Sequence, residues 1–292
     1  MENIKFQYIS QENNAYPEKL RHIYKPPKAL YVRGGFPEES KLCIAIIGAR
    51  NCSTYGKETA YYFARELAKN GAEIVSGLAR GIDGAAHKGA LACGKKTYGV
   101  LGCGIDVCYP KEHARMYEEM EKEGGIISEY GLGIAPLAGY FPMRNRIISG
   151  LSNGILIIEA RERSGSLITV EYGLEQGKDI FVLPGRICDE LSRGCNRLLK
   201  AGAIPVTEPS DILEYYGVAV DKRGVATKKN NNLLEKHEEV VYSNLCLVPK
   251  HLNQVVVECN LPAATVMQSL ILLEIKGYIK QPTKSYYIKT LE

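Results

Sequence analysis

Arginines in this chain recur among glycines and hydroxyls. Residues 48 to 56 read Gly-Ala-Arg-Asn-Cys-Ser-Thr-Tyr-Gly and supply Gly48, Arg50 and Ser53. Residues 76 to 83 read Ser-Gly-Leu-Ala-Arg-Gly-Ile-Asp and supply Ser76, Gly77, Arg80, Gly81 and Asp83. Residues 161 to 166 read Arg-Glu-Arg-Ser-Gly-Ser and supply Arg161, Arg163, Ser164, Gly165 and Ser166. Residues 141 to 146, Phe-Pro-Met-Arg-Asn-Arg, add Arg144, Asn145 and Arg146. A guanidinium fork matches phosphate oxygens bidentately. Glycine lets backbone N–H groups approach a ligand, and a helix start behind such a loop favours negative charge. The pattern therefore suits an anion, and so many arginines exceed what one phosphate needs. Against this stands a solvated rim in which the arginines pair with Asp83, Glu159 and Glu162. Arg144 and Arg146 lie two apart, on opposite sides of a helix, so at least one of them has a structural role.

Other chemistries find little support. Residues 48 to 56 are not GxGxxG, since Arg50 and Ser53 interrupt it, and no GxxxxGK[ST] follows a strand, so neither a dinucleotide nor an ATPase fingerprint is present. No Ser/His/Asp set carries a nucleophile-elbow signature. His87, among Ala85, Ala86 and Gly89, reads as a packing residue; Glu171 and Glu175, four apart, read as a solvated helix face. The nine cysteines include no CxxC and no histidine at zinc spacing, so neither a metal site nor a disulfide framework is expected. Cys43, Cys93 and Cys259 sit in apolar segments as small hydrophobes, which fits a reduced, cytoplasmic protein. No cofactor is expected. The start, Met-Glu-Asn-Ile-Lys-Phe, has no signal-peptide pattern, and no apolar stretch is long enough to span a membrane.

The loops must be held by regular elements. In 292 residues with 45% hydrophobic and 24% charged content there is room for one large domain and a small module. The net charge of +4 permits a nucleic-acid partner without demanding one. Residues 1 to 40 read as a short lead-in with a strand over 29 to 32. From 41 to 217, apolar strands alternate with helices. Strands are predicted at 43 to 47, 73 to 76, 97 to 101, 126 to 128, 155 to 159, 180 to 183 and 204 to 206. Helices are predicted at 54 to 70, 83 to 92, 110 to 123, 144 to 151, 166 to 176 and 195 to 201, with a last one opening at Ser210 or Asp211. Continuous apolar strands joined through helices imply a parallel sheet covered on both faces: a Rossmann-like, doubly wound, mostly parallel α/β core. In such a sheet ligands sit at the carboxyl ends of the strands, and the loops at 48, 77, 102 and 161 all follow strands.

Residues 218 to 233 are polar and charged and read as a linker. Residues 234 to 292 predict helices at 238 to 245, 250 to 259 and 263 to 276, then short strands at 278 to 280 and 285 to 289: a winged-helix plan. Its third helix offers few polar side chains (Thr265, Gln268 and Ser269 before Glu274), whereas a helix that reads bases presents Arg, Lys or Asn. A protein-contact module fits better than a DNA reader, although Lys276, Lys280, Lys284 and Lys289 could meet a DNA backbone.

Several segments together resemble the DNA-processing protein A (DprA, or Smf) family. They are Gly48-Ala49-Arg50, Ser76 to His87, Phe141 to Ser152, Arg163 to Thr169, Leu183-Pro184-Gly185 and Gly194 to Leu199, in order and at natural spacing over residues 15 to 215. The resemblance implies a bacterial homodimer that binds incoming single-stranded DNA, protects it and loads RecA recombinase during natural transformation. It places the family's pocket arginine on Arg50 and its basic residue after the fifth strand on Arg161. Asn196 stands where members often carry His, which bears on dimer strength. The domain related to the sterile alpha motif that often precedes the core is not expected in so short a lead-in. Tyr55, Tyr140 and Phe141 are the candidate base-stacking residues. Two rival readings are carried: a nucleotide-processing hydrolase on a related fold, using Ser164-Gly165-Ser166 with Glu171, and an interaction scaffold with incidental surface charge.

Overall fold

The computed structural model describes residues 5–219 and 234–291, and the chain divides into two units, Met1–Val220 and Asp221–Glu292. The expected linker lies outside the described residues apart from Val218 and Ala219. No single helix among the described residues is long and apolar enough to cross a membrane.

The first unit is built on a nine-stranded sheet. Its strands are β1 (Gln7–Ser10), β2 (Ala29–Gly34), β3 (Cys43–Ile47), β4 (Glu73–Ser76), β5 (Thr97–Gly104), β6 (Gly124–Tyr130), β7 (Gly154–Ile157), β8 (Asp179–Val182) and β9 (Ile204–Pro205). The helices are α1 (Glu18–Arg21), α2 (Thr54–Lys69), α3 (Ile82–Leu91), α4 (Ala114–Lys122), α5 (Tyr140–Leu151), α6 (Gly165–Glu175), α7 (Glu190–Lys200) and α8 (Pro209–Tyr215). The strand order is β1-β2-β6-β5-β4-β3-β7-β8-β9. All pairings from β6 to β9 are parallel, while β2 on β6 and β1 on β2 are antiparallel. The mostly parallel α/β sheet expected from the sequence is thus what the chain forms, and the lead-in supplies the sheet's two antiparallel edge strands.

Two-sided burial explains the unbroken apolar strands. Along β3, Cys43, Ala45 and Ile47 join one core with Ile147, Leu151 and Val170, while Ile44 and Ile46 join the other with Phe63, Leu67 and Ile82. From β3 the chain winds outward to β6 through α2, α3 and α4. It then returns through α5 to β7 on the other side of β3 and winds outward again. The order reverses between β3 and β7, and a crevice opens there beyond their carboxyl ends.

Several elements start or end away from their predicted bounds, and four of them bear on the site. Helix α5 begins at Tyr140, before Arg144, because Pro142 falls in its first turn, where a missing N–H costs nothing. Helix α7 begins at Glu190 and runs through Gly194, where a Cβ would lie 2.7 Å from the carbonyls of Ala160 and Arg161. That glycine serves close packing. Strand β5 continues through residues 102 to 104, so this expected tip loop is the end of a strand. Helix α4 is preceded by a separate turn of 3-10 helix, Lys111–His113.

The second unit contains α9 (Lys236–Ser243), β10 (Lys250–His251), α10 (Leu252–Cys259), α11 (Ala263–Ile275), β11 (Ile279–Thr283) and β12 (Tyr286–Lys289). Residues 250 and 251, expected to open the second helix, instead pair with β12 in an antiparallel sheet of order β10-β12-β11. Val241, Leu245, Val255, Val266, Leu270 and Leu273 form its core.

Candidate nucleic-acid interface

The crevice at the reversal point holds two clefts that share a wall. The wider, of about 730 Å³, is lined by Gly48 and Arg50 after β3, Asp83 on α3, Arg144 and Asn145 on α5, and Arg161, Arg163, Ser164, Gly165 and Ser166 at the start of α6. The narrower, of about 190 Å³, is lined by Gly77, Arg80, Gly102 and Pro110, and Ala79 borders both. Arg50, Asn51, Tyr109, Phe141 and Arg144 border both.

The shared wall is a cation on a ring. The Arg50 guanidinium lies over the Phe141 ring, 4.9 Å from its centroid, and Tyr109 packs against the same ring at 5.6 Å. Gly102 makes room for Phe141: a Cβ there would sit 3.0 Å from ring carbon Cδ1. Gly81, at φ 76°, lets the chain pass beneath the loop, since a Cβ would overlap the Ala49 and Arg50 carbonyls.

Beneath the wall lies a buried cation. Arg144 is 3% exposed, donates from Nη1 to the Val100 carbonyl at 2.5 Å, and occupies the space that a side chain on Gly77 would take. Its Nε has no hydrogen-bond partner. Burial pulls its pKa down; Asp83 opposes this and Arg50 adds to it. Burial likewise pushes the Asp83 carboxyl up, against Arg144, Arg50 and the amides of Ala79 and Gly77, which hold it down. A fixed positive charge thus sits at the cleft floor, with one partly compensating carboxyl beside it.

The start of α6 opens into the wider cleft. Ser164 caps it, accepting from Ser166 N at 3.4 Å, and its hydroxyl lies 2.8 Å from that of Ser166. Asn145 donates from Nδ2 to the Gly165 carbonyl at 3.3 Å and ties α5 to this turn. Arg161 and Arg163 are exposed on the rim, where Arg161 Nε lies 3.6 Å from Glu190.

Several expected contacts are committed elsewhere. Arg146 is buried and donates from Nη2 to both carboxylate oxygens of Glu129 at 2.7 and 2.8 Å, while Nε donates to the Lys25 carbonyl. It ties α5 to β6 and the lead-in, and is the structural member of the Arg144/Arg146 pair. Ser53 caps α2 and gives its N–H and its hydroxyl proton to Glu159. Ser76 is buried and donates to the Ile46 carbonyl at 2.6 Å. Arg80 borders only the narrower cleft and is held by Glu112 at 2.9 and 3.0 Å. Of the three stacking candidates only Phe141 lines the clefts; Tyr140 stacks on Tyr130 at 4.2 Å, and Tyr55 lies away from both clefts. Glu171, needed by the hydrolase reading, is exposed on α6 and lines neither cleft. Lys276 pairs with buried Glu238 at 2.7 Å instead of standing free for DNA.

Sequence reasoning missed Tyr109 and Asn51; Glu159, an arginine partner only in the solvated-rim alternative, bonds Ser53. An aromatic residue directly before Pro110, soon after a strand tip, was the available signal for Tyr109. Among the described residues no group of His, Cys, Asp and Glu could hold a metal ion, and all nine cysteines are free.

A mostly parallel sheet with an arginine-lined crevice at its reversal point defines a Rossmann-like α/β protein. The chain belongs to the DNA-processing protein A family: the family model described as DNA recombination-mediator protein A matches residues 7–217. This bears out the resemblance drawn from the motifs. Protein Smf of Escherichia coli (strain K12) is 45% identical over 207 residues, 70% of this chain and 55% of that protein. The chain thus spans about half the length of that relative. The X-ray structure of DNA processing protein A from Streptococcus pneumoniae superposes with a TM-score of 0.67 at 43% identity, covering 72% of this chain and 74% of that one. A Helicobacter pylori DNA processing protein A structure, described for its single-stranded DNA binding mode, gives a TM-score of 0.64 at 35% identity, covering 72% and 96%.

Proposed function

We propose that this chain binds single-stranded DNA in the arginine-lined clefts, protects it and loads RecA recombinase onto it during natural transformation and recombination. In this reading it acts as a cytoplasmic homodimer, without catalysis or cofactor. The observation that carries the reading is the Arg50 guanidinium resting on Phe141 between the two clefts. A cation and an aromatic face at one point serve a phosphate and an unpaired base together. A single strand offers both, whereas a duplex hides its bases. Arg161, Arg163 and the open start of α6 extend the positive track, and Arg144 supplies charge from below. The Helicobacter pylori relative's single-stranded DNA binding supports the same ligand class.

The test is oligonucleotide binding, single-stranded against double-stranded, by the wild type and Arg50→Ala. The expected result is a marked preference for the single strand and a loss of roughly tenfold or more in the variant. Equal affinity for both forms overturns the reading. Incubation with nucleoside monophosphates should release no base; turnover would favour a hydrolase.

The second unit is read as a winged-helix protein-contact module. Met267, Ile271 and Ile275 form an exposed apolar stripe on α11, and Lys276 is already paired. Deleting residues 234 to 292 should leave oligonucleotide affinity unchanged; a large loss would make this module a DNA contact.

A further inference from the structure

Glu159 holds the Arg50 loop at both ends. It follows β7 at the sheet tip and is 5% exposed. Its backbone carbonyl accepts from Ala49 N at 2.8 Å. Its carboxylate accepts from Ser53 N at 2.8 Å through Oε2 and from the Ser53 hydroxyl through Oε1. Ala49 and Ser53 bracket Arg50, so the segment that carries the guanidinium is suspended from one residue. Gly56, in the first turn of α2, fits this arrangement: a Cβ there would lie 2.5 Å from Glu159 Oε2. Its φ is not positive, so the carboxylate, and not the backbone, excludes a side chain at this position.

The same carboxylate sits at the N-terminus of α2, a helix of 16 residues, where the free N–H groups and the dipole would otherwise attract a ligand anion. The two helices that start at the reversal point therefore differ. The start of α6 faces the wider cleft, and that of α2 already has an anion.

We propose that Glu159 is the positioning residue for Arg50 and the built-in anion that closes the start of α2 to a ligand phosphate. The inference rests on the single-strand reading of the cleft and deepens it. Phosphates of a bound strand would be met by arginines and by the α6 turn. A free nucleotide phosphate that needs the start of α2 would be turned away.

The experiment compares the wild type, Arg50→Ala, Glu159→Gln, Glu159→Ala, Gly56→Ala and the Gly56→Ala/Glu159→Ala double variant. Oligothymidylate binding and amide hydrogen exchange over residues 48 to 57 are read for each. Glu159→Ala should lose roughly tenfold in affinity, as expected for removing hydrogen bonds to a charged group, and its loop amides should exchange faster. Glu159→Gln keeps an acceptor for Ser53 N and should recover most of both. Gly56→Ala should weaken binding alone but cost nothing further beside Glu159→Ala, where alanine is the better helix former. Inorganic phosphate should raise the melting temperature of Glu159→Ala more than that of the wild type.

Wild-type affinity and loop protection in Glu159→Ala and Gly56→Ala, with Arg50→Ala weak, would overturn the positioning role. Equal phosphate effects on wild type and Glu159→Ala would overturn the closure of α2. Wild-type affinity in Arg50→Ala would instead defeat the cleft reading, while the exchange data would still decide whether Glu159 holds the loop. If Glu159→Ala fails to fold, Glu159→Gln and Gly56→Ala decide between the same outcomes.

Discussion

Phe141 gives Arg50 a resting place and, in the proposed function, gives a base its stacking face. Phe141→Ala should weaken single-strand binding by about 1–3 kcal/mol, the range for losing one base–aromatic stack, and fluorescence titration against oligothymidylate checks it. An unchanged affinity would show that bases stack elsewhere. His87 makes a different residue-scale prediction. The Thr97 hydroxyl donates to the Ile74 carbonyl, so at 2.7 Å it accepts from His87 Nδ1, and the buried Nε2 is left without a partner. Burial, with His113 and Arg144 nearby, pushes the His87 pKa down from 6.5 to about 3. The unfolded chain therefore takes up a proton below its ordinary pKa that the folded chain refuses. This contribution to stability is complete above 6.5 and is lost as pH falls towards 3, by up to about 1.4 kcal/mol per pH unit. His113 shifts in the same direction, whereas Asp83, raised by burial, opposes it. Urea denaturation across this range should give a shallower pH dependence for His87→Gln than for the wild type.

At the scale of elements, α2 and α3 approach each other closely on one face of the sheet. Gly89 on α3 leaves no room for a Cβ, which would overlap the Tyr61 carbonyl of α2. Gly89→Ala should destabilise by roughly 1–3 kcal/mol, the usual cost of overpacking, visible as a lower denaturation midpoint with an unchanged m-value. The start of α5 teaches a related lesson. A proline two residues before Arg144 looks like a boundary, yet it sits in the first turn, so both arginines lie inside the helix on opposite sides. One faces the clefts and the other faces Glu129. Periodicity made the helix and the two-sidedness legible. Which side met a carboxylate depended on β6, folded against it from another part of the chain.

For the whole molecule, the net charge of +4 is modest, so the proposed function draws its affinity from the arginines gathered at the crevice. If Arg50, Arg161 and Arg163 each neutralise one phosphate, log affinity against log salt should have a slope of about −2, made shallower by about 0.7 in Arg50→Ala. A titration at several salt concentrations checks this. A slope unaltered by the variant would remove Arg50 from the phosphate contacts.

Much of this architecture was legible in the amino-acid order. Unbroken apolar strands such as Cys43 to Ile47 require cover on both faces, and alternation with helices makes the sheet parallel. Glycines after those strands mark the carboxyl edge where a ligand belongs. These are local properties, written in period and turn chemistry. The fate of each charged side chain was not local. Arg80 met Glu112, Arg146 met Glu129 and Ser53 met Glu159 across separations of 32, 17 and 106 residues. Arg50 met an aromatic ring and no carboxylate among its described contacts. How far a charge is available to a ligand depends on which opposite charges folding brings to it, and on distances in space that no spacing along the chain records.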